Sequence, residues 1–114
     1  MPVDPSILET YREVMEAEGD DFVADILNTF YPSAQELMDS LDEALRENDV
    51  DRFVRAAHSF KSTSATVGAL CVSGLAADLE ARGMRGDLPA LKPLLVELRE
   101  AYEVAEIRLK ELFS

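Results

Sequence analysis

Tryptophan is absent from the 114 residues, cysteine and histidine occur once each, and glycine and proline number five apiece. Each scarcity removes a class of protein. Cys71 has no partner for an internal disulfide, so the fold must close on its own apolar core, which a chain of this length supplies as a single domain. With no metal-spaced partner, Cys71 reads as a small buried apolar residue in a reducing compartment, and a reactive thiol is the competing reading. A single histidine cannot furnish the facing histidines of a di-metal carboxylate bundle, although Glu36, Asp39, Glu43 and Glu47 follow one another at helical spacing. The glycines make no phosphate-cradling loop of the P-loop or dinucleotide type. No apolar run reaches membrane length, and the opening Met1-Pro2-Val3-Asp4 has neither a basic start nor an apolar stretch. A soluble, cytoplasmic protein is expected.

Positive charge is also in short supply, with 11 Lys and Arg against 23 Asp and Glu, a net charge of −12. Nucleic acids and anionic membranes both need a cationic surface, so neither is an expected partner. The distribution is uneven. Residues 1–51 carry 15 acids and two bases (−13), residues 52–92 three acids and six bases (+3), and residues 93–114 five acids and three bases (−2). The histidine falls in the locally basic third, which suits a phosphoryl group or an acidic partner.

What remains is helical periodicity; no stretch alternates apolar and polar residues for long. Asp4-Pro5-Ser6 is a helix start, and Ile7, Leu8, Tyr11, Val14 and Met15 recur until Gly19, giving a short accessory helix over about 5–17. Asp20 caps a second helix whose stripe runs from Phe22 to Leu45 and ends near Asn48, with Pro32 expected to bend it. Its acidic side reads as a solvated face. Asp49 caps a third helix with the core line Phe53, Ala57, Phe60, Ser64 and Val67. Gly68-Ala69 turns the chain, and Val72, Leu75, Ala76 and Leu79 form a fourth stripe closing at Gly83, with Gly74 read as a close helix contact. Met84 to Asp87 is a loop. Leu91, Leu94, Leu98, Ala101 or Tyr102, Ala105, Leu109 and Leu112 mark the last helix, regular from Pro93. The fold class is all-α: an antiparallel four-helix bundle over about 20–113 with a short N-terminal accessory helix.

His58 lies about 100° around the third helix from Ala57, off the core line, on a line with Asp51, Arg55, Lys61 or Ser62, and Ala65. It should project at the edge of the core or into solvent. With the hairpin turning near Ala69, His58 lies eleven residues before that point and Glu80 eleven after it, so a constant rise of about 1.5 Å per residue puts both at one height on adjacent helices. Glu80 is thus a natural partner for one imidazole nitrogen. An imidazole attacks through its unprotonated nitrogen, and a carboxylate on the other N–H fixes the tautomer and stabilises the cationic ring. Lys61 and Arg55, a turn to either side, can offset phosphoryl charge. Ser62 and Ala65 leave a shallow surface on which another protein can approach. From these residues alone an ordinary boundary histidine stays an open reading.

The segment Ala57-His58-Ser59-Phe60-Lys61-Ser62-Thr63-Ser64, followed by Gly68-Ala69, Leu79-Glu80 and Gly86-Asp87, resembles the histidine-containing phosphotransfer (HPt) domain family, from about Phe22 to the C-terminus. The resemblance implies a four-helix bundle that receives a phosphoryl group on His58 from a receiver-domain aspartate and passes it to another response regulator. It implies that Lys61 helps stabilise the phosphoryl group, that Glu80 orients the imidazole, and that Arg55, Ser62 and Ala65 lie on the docking face. The family usually has glycine where this chain has Ser62, which implies an altered partner fit. The expected partners are response-regulator receiver domains and a hybrid histidine kinase, with the chain itself a monomer. No cofactor of its own is expected; a divalent metal belongs to the partner receiver domain. Without an ATP site the chain is a phosphoryl carrier rather than a kinase. The alternative is a docking module in which His58 carries no phosphate. A kinase dimerisation domain is disfavoured, because Ser59-Phe60 replaces an acid and a downstream proline.

Overall fold

A computed structural model describes residues 3–15 and 19–113, with side-chain surroundings for 3–13 and 21–113. Among these residues are five α-helices and no strand: α1 Ser6–Met15, α2 Gly19–Glu47, α3 Val50–Thr66, α4 Leu70–Gly83 and α5 Lys92–Phe113, with a 3-10 turn at Leu88–Leu91 before α5. Helices α2 to α5 form the antiparallel bundle and α1 packs on α2. The cap expected at Asp20 and the stripe positions Val14 and Met15 lie outside the described side chains.

Each boundary has a local cause. Asp4 accepts a hydrogen bond from the Ser6 N–H at 3.0 Å and starts α1. Helix α2 runs unbroken through Pro32. That proline is exposed, so water can serve the carbonyl that loses its N–H partner. Asn48 closes α2 in the left-handed region (φ 54), with its N–H donating to Leu45 and the Asp49 N–H to Ala44. The same Asp49 then caps α3, its carboxylate accepting from the Arg52 N–H at 3.2 Å. At the other end of α3 the chain reverses through Val67, Gly68 and Ala69. Gly68 has φ 80 and abuts the Asp4 backbone, whose N–H donates to the Gly68 carbonyl at 2.8 Å. The N-terminal segment is thereby pinned to the α3–α4 turn.

The core line read for α3 is buried throughout: Phe53, Ala57, Phe60, Ser64 and Val67 are each at most 1% exposed. Tyr102 of α5 sits at the centre, its ring 6.1 Å from those of both Phe30 and Phe60, so α2, α3 and α5 meet on one aromatic cluster. Its hydroxyl is buried with no hydrogen-bond partner among the described residues, and burial raises the phenol's pKa.

Three expectations need correction. Gly74 is not a helix contact: a Cβ there would have nothing within 4 Å, because it faces solvent. The close approach falls instead at Gly83, where a Cβ would stand 2.8 Å from the Phe53 ring. Cys71 is half-buried rather than buried, since α4 turns it beside Val72 and away from the core line. The acidic side of α2 is not merely solvated. Arg52 of α3 reaches Glu43 at 2.6 Å and Arg99 of α5 bonds Asp42 and Asp39, although pairs this exposed contribute at most about 1 kcal/mol each.

Candidate functional site

The site lies on the α3–α4 hairpin. Because Ala57 and Phe60 face the core, the 100° step to His58 turns its ring outward, and 60% of its side chain is exposed. Across the hairpin, Leu79 packs inward and Glu80 faces α3. His58 Nδ1 lies 2.7 Å from Glu80 Oε2. The equal offsets from Ala69 therefore translate into contact.

Lys61 supplies the second half of the arrangement, which the sequence does not reveal. Its ammonium donates to Glu80 Oε1 at 2.7 Å, so one carboxylate holds both the histidine and the lysine, one oxygen each. Glu80 is the least exposed of the three, at 19% of its side chain against 34% for Lys61. The hydrogen bond from Lys61 is the largest influence on the Glu80 carboxyl; burial opposes it, the His58 contact adds to it, and the net result holds the pKa below its ordinary value. An ionised carboxylate can only accept, so the His58 proton belongs on Nδ1 and the lone pair on Nε2. That is the arrangement of a nucleophilic imidazole with a carboxylate behind it and an ammonium one turn away.

The other residues named from the sequence are arranged less tightly. Arg55 does not turn toward the histidine; its Nε donates to the Asp51 carbonyl of its own helix at 3.4 Å, and it borders a shallow groove with Val50, Val54 and Met84. Ser62 is exposed and Ala65 half-buried, both on the His58 face toward the turn. Two apolar residues not named as site candidates are exposed at the ends of α4: Leu70, its first residue, at 48% and Met84, just past its last, at 69%. Their signal was present, since both stand off the Val72–Ala76–Leu79 core line. Ser73 was also missed; its hydroxyl donates across the hairpin to the Lys61 carbonyl at 2.9 Å. Among the described residues no three His, Cys, Asp or Glu side chains converge as a metal site. No helix among them is long and apolar enough to cross a membrane.

Comparison with known proteins gives two matches. The Hpt domain family profile matches residues 25–107. Among solved structures the chain is similar to histidine-containing phosphotransfer protein B (HptB) from Pseudomonas aeruginosa PAO1, with 30% sequence identity, a TM-score of 0.84, and coverage of 96% of this chain and 91% of that one. No curated protein gives a significant match.

Proposed function

Since the chain belongs to the Hpt domain family and so has a phosphotransfer role in two-component signalling, we propose that it is a phosphorelay intermediate that accepts a phosphoryl group on His58 from a receiver-domain aspartate and passes it to another response regulator. The observation that carries this reading is the 2.7 Å contact of Glu80 Oε2 with the Nδ1 of a histidine whose side chain is 60% exposed. It leaves the nucleophilic nitrogen on the ring edge that a partner can reach.

In the proposed step the Nε2 lone pair attacks the phosphorus of the receiver's aspartyl phosphate. The N–P bond forms as the P–O bond breaks, and the electron pair leaves with the receiver's carboxylate. Nδ1 keeps its proton, so the ring carries positive charge that Glu80 stabilises. Lys61, bound to Glu80 at rest and one helical turn from His58, offsets the charge of the arriving phosphoryl oxygens. Transfer to the next receiver is the same displacement in reverse. Any divalent metal belongs to the receiver domain. Arg55, Ser62 and Ala65 contribute to the docking face, with receiver domains and a hybrid histidine kinase as partners of a monomeric chain.

The test is incubation with a radiolabelled, phosphorylated receiver domain. Acid-labile, base-stable label is expected on the wild type and none on His58→Gln. Intact binding with no label from any cognate receiver would replace the relay by a docking module in which His58 carries no phosphate.

A further inference from the structure

Three side-chain hydrogen bonds cross from α3 to α4 among the described residues, and Lys61 takes part in two of them. Its ammonium reaches Glu80 at 2.7 Å, while its backbone carbonyl accepts from Ser73 Oγ at 2.9 Å. Ser73 and Glu80 stand seven residues apart, about two turns or roughly 10 Å along α4, on one face with Ala77 between them. A helical side chain leans toward the N-terminus of its own helix, so the Lys61 stem runs from the level of Ser73 toward that of His58. The lysine is held by α4 at both ends.

The Ser73 bond satisfies no orphan group. The Lys61 carbonyl sits mid-helix, where it already closes its own turn with the Ala65 N–H, and a serine hydroxyl four residues past Ala69 has that carbonyl of its own helix within easy reach. Ser73 bonds across the hairpin instead. The turn itself is fixed by backbone bonds at Gly68, Ala69 and Leu70. Glu80 lies ten residues beyond the start of α4, far enough for a small sliding or splaying of the helices to separate it from its partners.

We propose that Ser73 is a positioning residue: by anchoring the Lys61 carbonyl it sets the height of α4 against α3, and so holds the Lys61 ammonium and the His58 ring on Glu80. The proposal rests on the phosphotransfer reading for its purpose, but its test does not pass through phosphorylation. The measurements are solvent exchange of the Lys61 ammonium protons and the ring nitrogen shifts of His58, by NMR on the unphosphorylated full chain, for Ser73→Ala and Ser73→Thr. In Ser73→Ala the ammonium is expected to exchange about three- to tenfold faster, the loss of one ordinary hydrogen bond. The Nδ1–H tautomer should lose population while helix content is kept. Ser73→Thr, which retains the hydroxyl, restores both signals. Unchanged exchange in Ser73→Ala overturns the proposal, as does equal acceleration in Ser73→Thr. Loss of the fold in Ser73→Ala would make the residue a structural one and overturn it too. Failure of His58 to take label would leave these signals untouched, so the two readings fail separately.

Discussion

His58 and Glu80 are 22 residues apart in sequence, and their side chains meet at 2.7 Å across the α3–α4 hairpin. The carboxylate that accepts from the imidazole is the same one that holds Lys61, so a change at Glu80 reaches both groups.

Glu80→Gln keeps an oxygen for the Nδ1–H but removes the charge that stabilises a cationic ring. Phosphoryl acceptance by His58 is expected to slow roughly tenfold or more, the range of a hydrogen bond to a charged group. The initial rate of labelling from a phosphorylated receiver measures this. An unchanged rate would mean that the charge plays no part.

The Glu80 carboxyl also ties stability to pH. Its folded pKa is depressed, chiefly by the Lys61 hydrogen bond, so its contribution is fully present above the ordinary value of 4.5 and is lost as pH falls through the lower folded value. Urea unfolding between about pH 5 and pH 3 should therefore show a shallower loss of stability for Glu80→Gln than for the wild type. Parallel curves would refute the linkage.

Gly74 and Gly83 should respond to alanine in opposite directions. At the exposed Gly74 a methyl group meets nothing within 4 Å, so Gly74→Ala is expected to stabilise by about 0.5–1 kcal/mol through helix propensity alone. At Gly83 the methyl meets the buried Phe53 ring, and Gly83→Ala should cost about 1–3 kcal/mol. Denaturant midpoints for the two variants decide the matter.

Tyr102→Phe removes a buried hydroxyl that has no partner among the described residues and leaves the aromatic cluster in place. Stability is expected to hold or to rise by about 1 kcal/mol. A clear fall in melting temperature would mean that the hydroxyl is satisfied in solution.

Ser62→Gly clears a side chain from the exposed face beside His58. Faster transfer or acceptance from a wider set of receivers is expected, and equal rates across several receivers would count against a steric role for Ser62.

The sequence made the bundle and the His58–Glu80 pairing legible because both depend on quantities that hardly vary: the 100° step and the rise per residue. Lys61 was less legible. Its stem has four rotatable carbons, and helical phase says where it starts but not which carboxylate it reaches. The glycines failed for a related reason. Periodicity places Gly74 and Gly83 on α4, but only the packing of α3 decides which of them faces Phe53. Ser73 offered no signal, being one small polar residue on a helix of small residues. Pro32 is expected to bend one helix rather than divide it, and α2 does run through it as a single helix, with the proline on an exposed face.

The turn at Val67, Gly68 and Ala69 bears on when the site comes into being. His58, Lys61, Ser73 and Glu80 all lie within one helical hairpin whose ends are joined by three residues. Little loop entropy opposes their meeting, and such short-range contacts belong to the fast part of a folding landscape. The histidine proposed to carry the phosphoryl group and the side chains proposed to serve it thus need only local chain closure to find one another. The long helices α2 and α5 lie outside that closure: they bury the hairpin's core face, through Phe30 and Tyr102 against Phe60, but contribute no side chain to the His58–Lys61–Glu80 cluster.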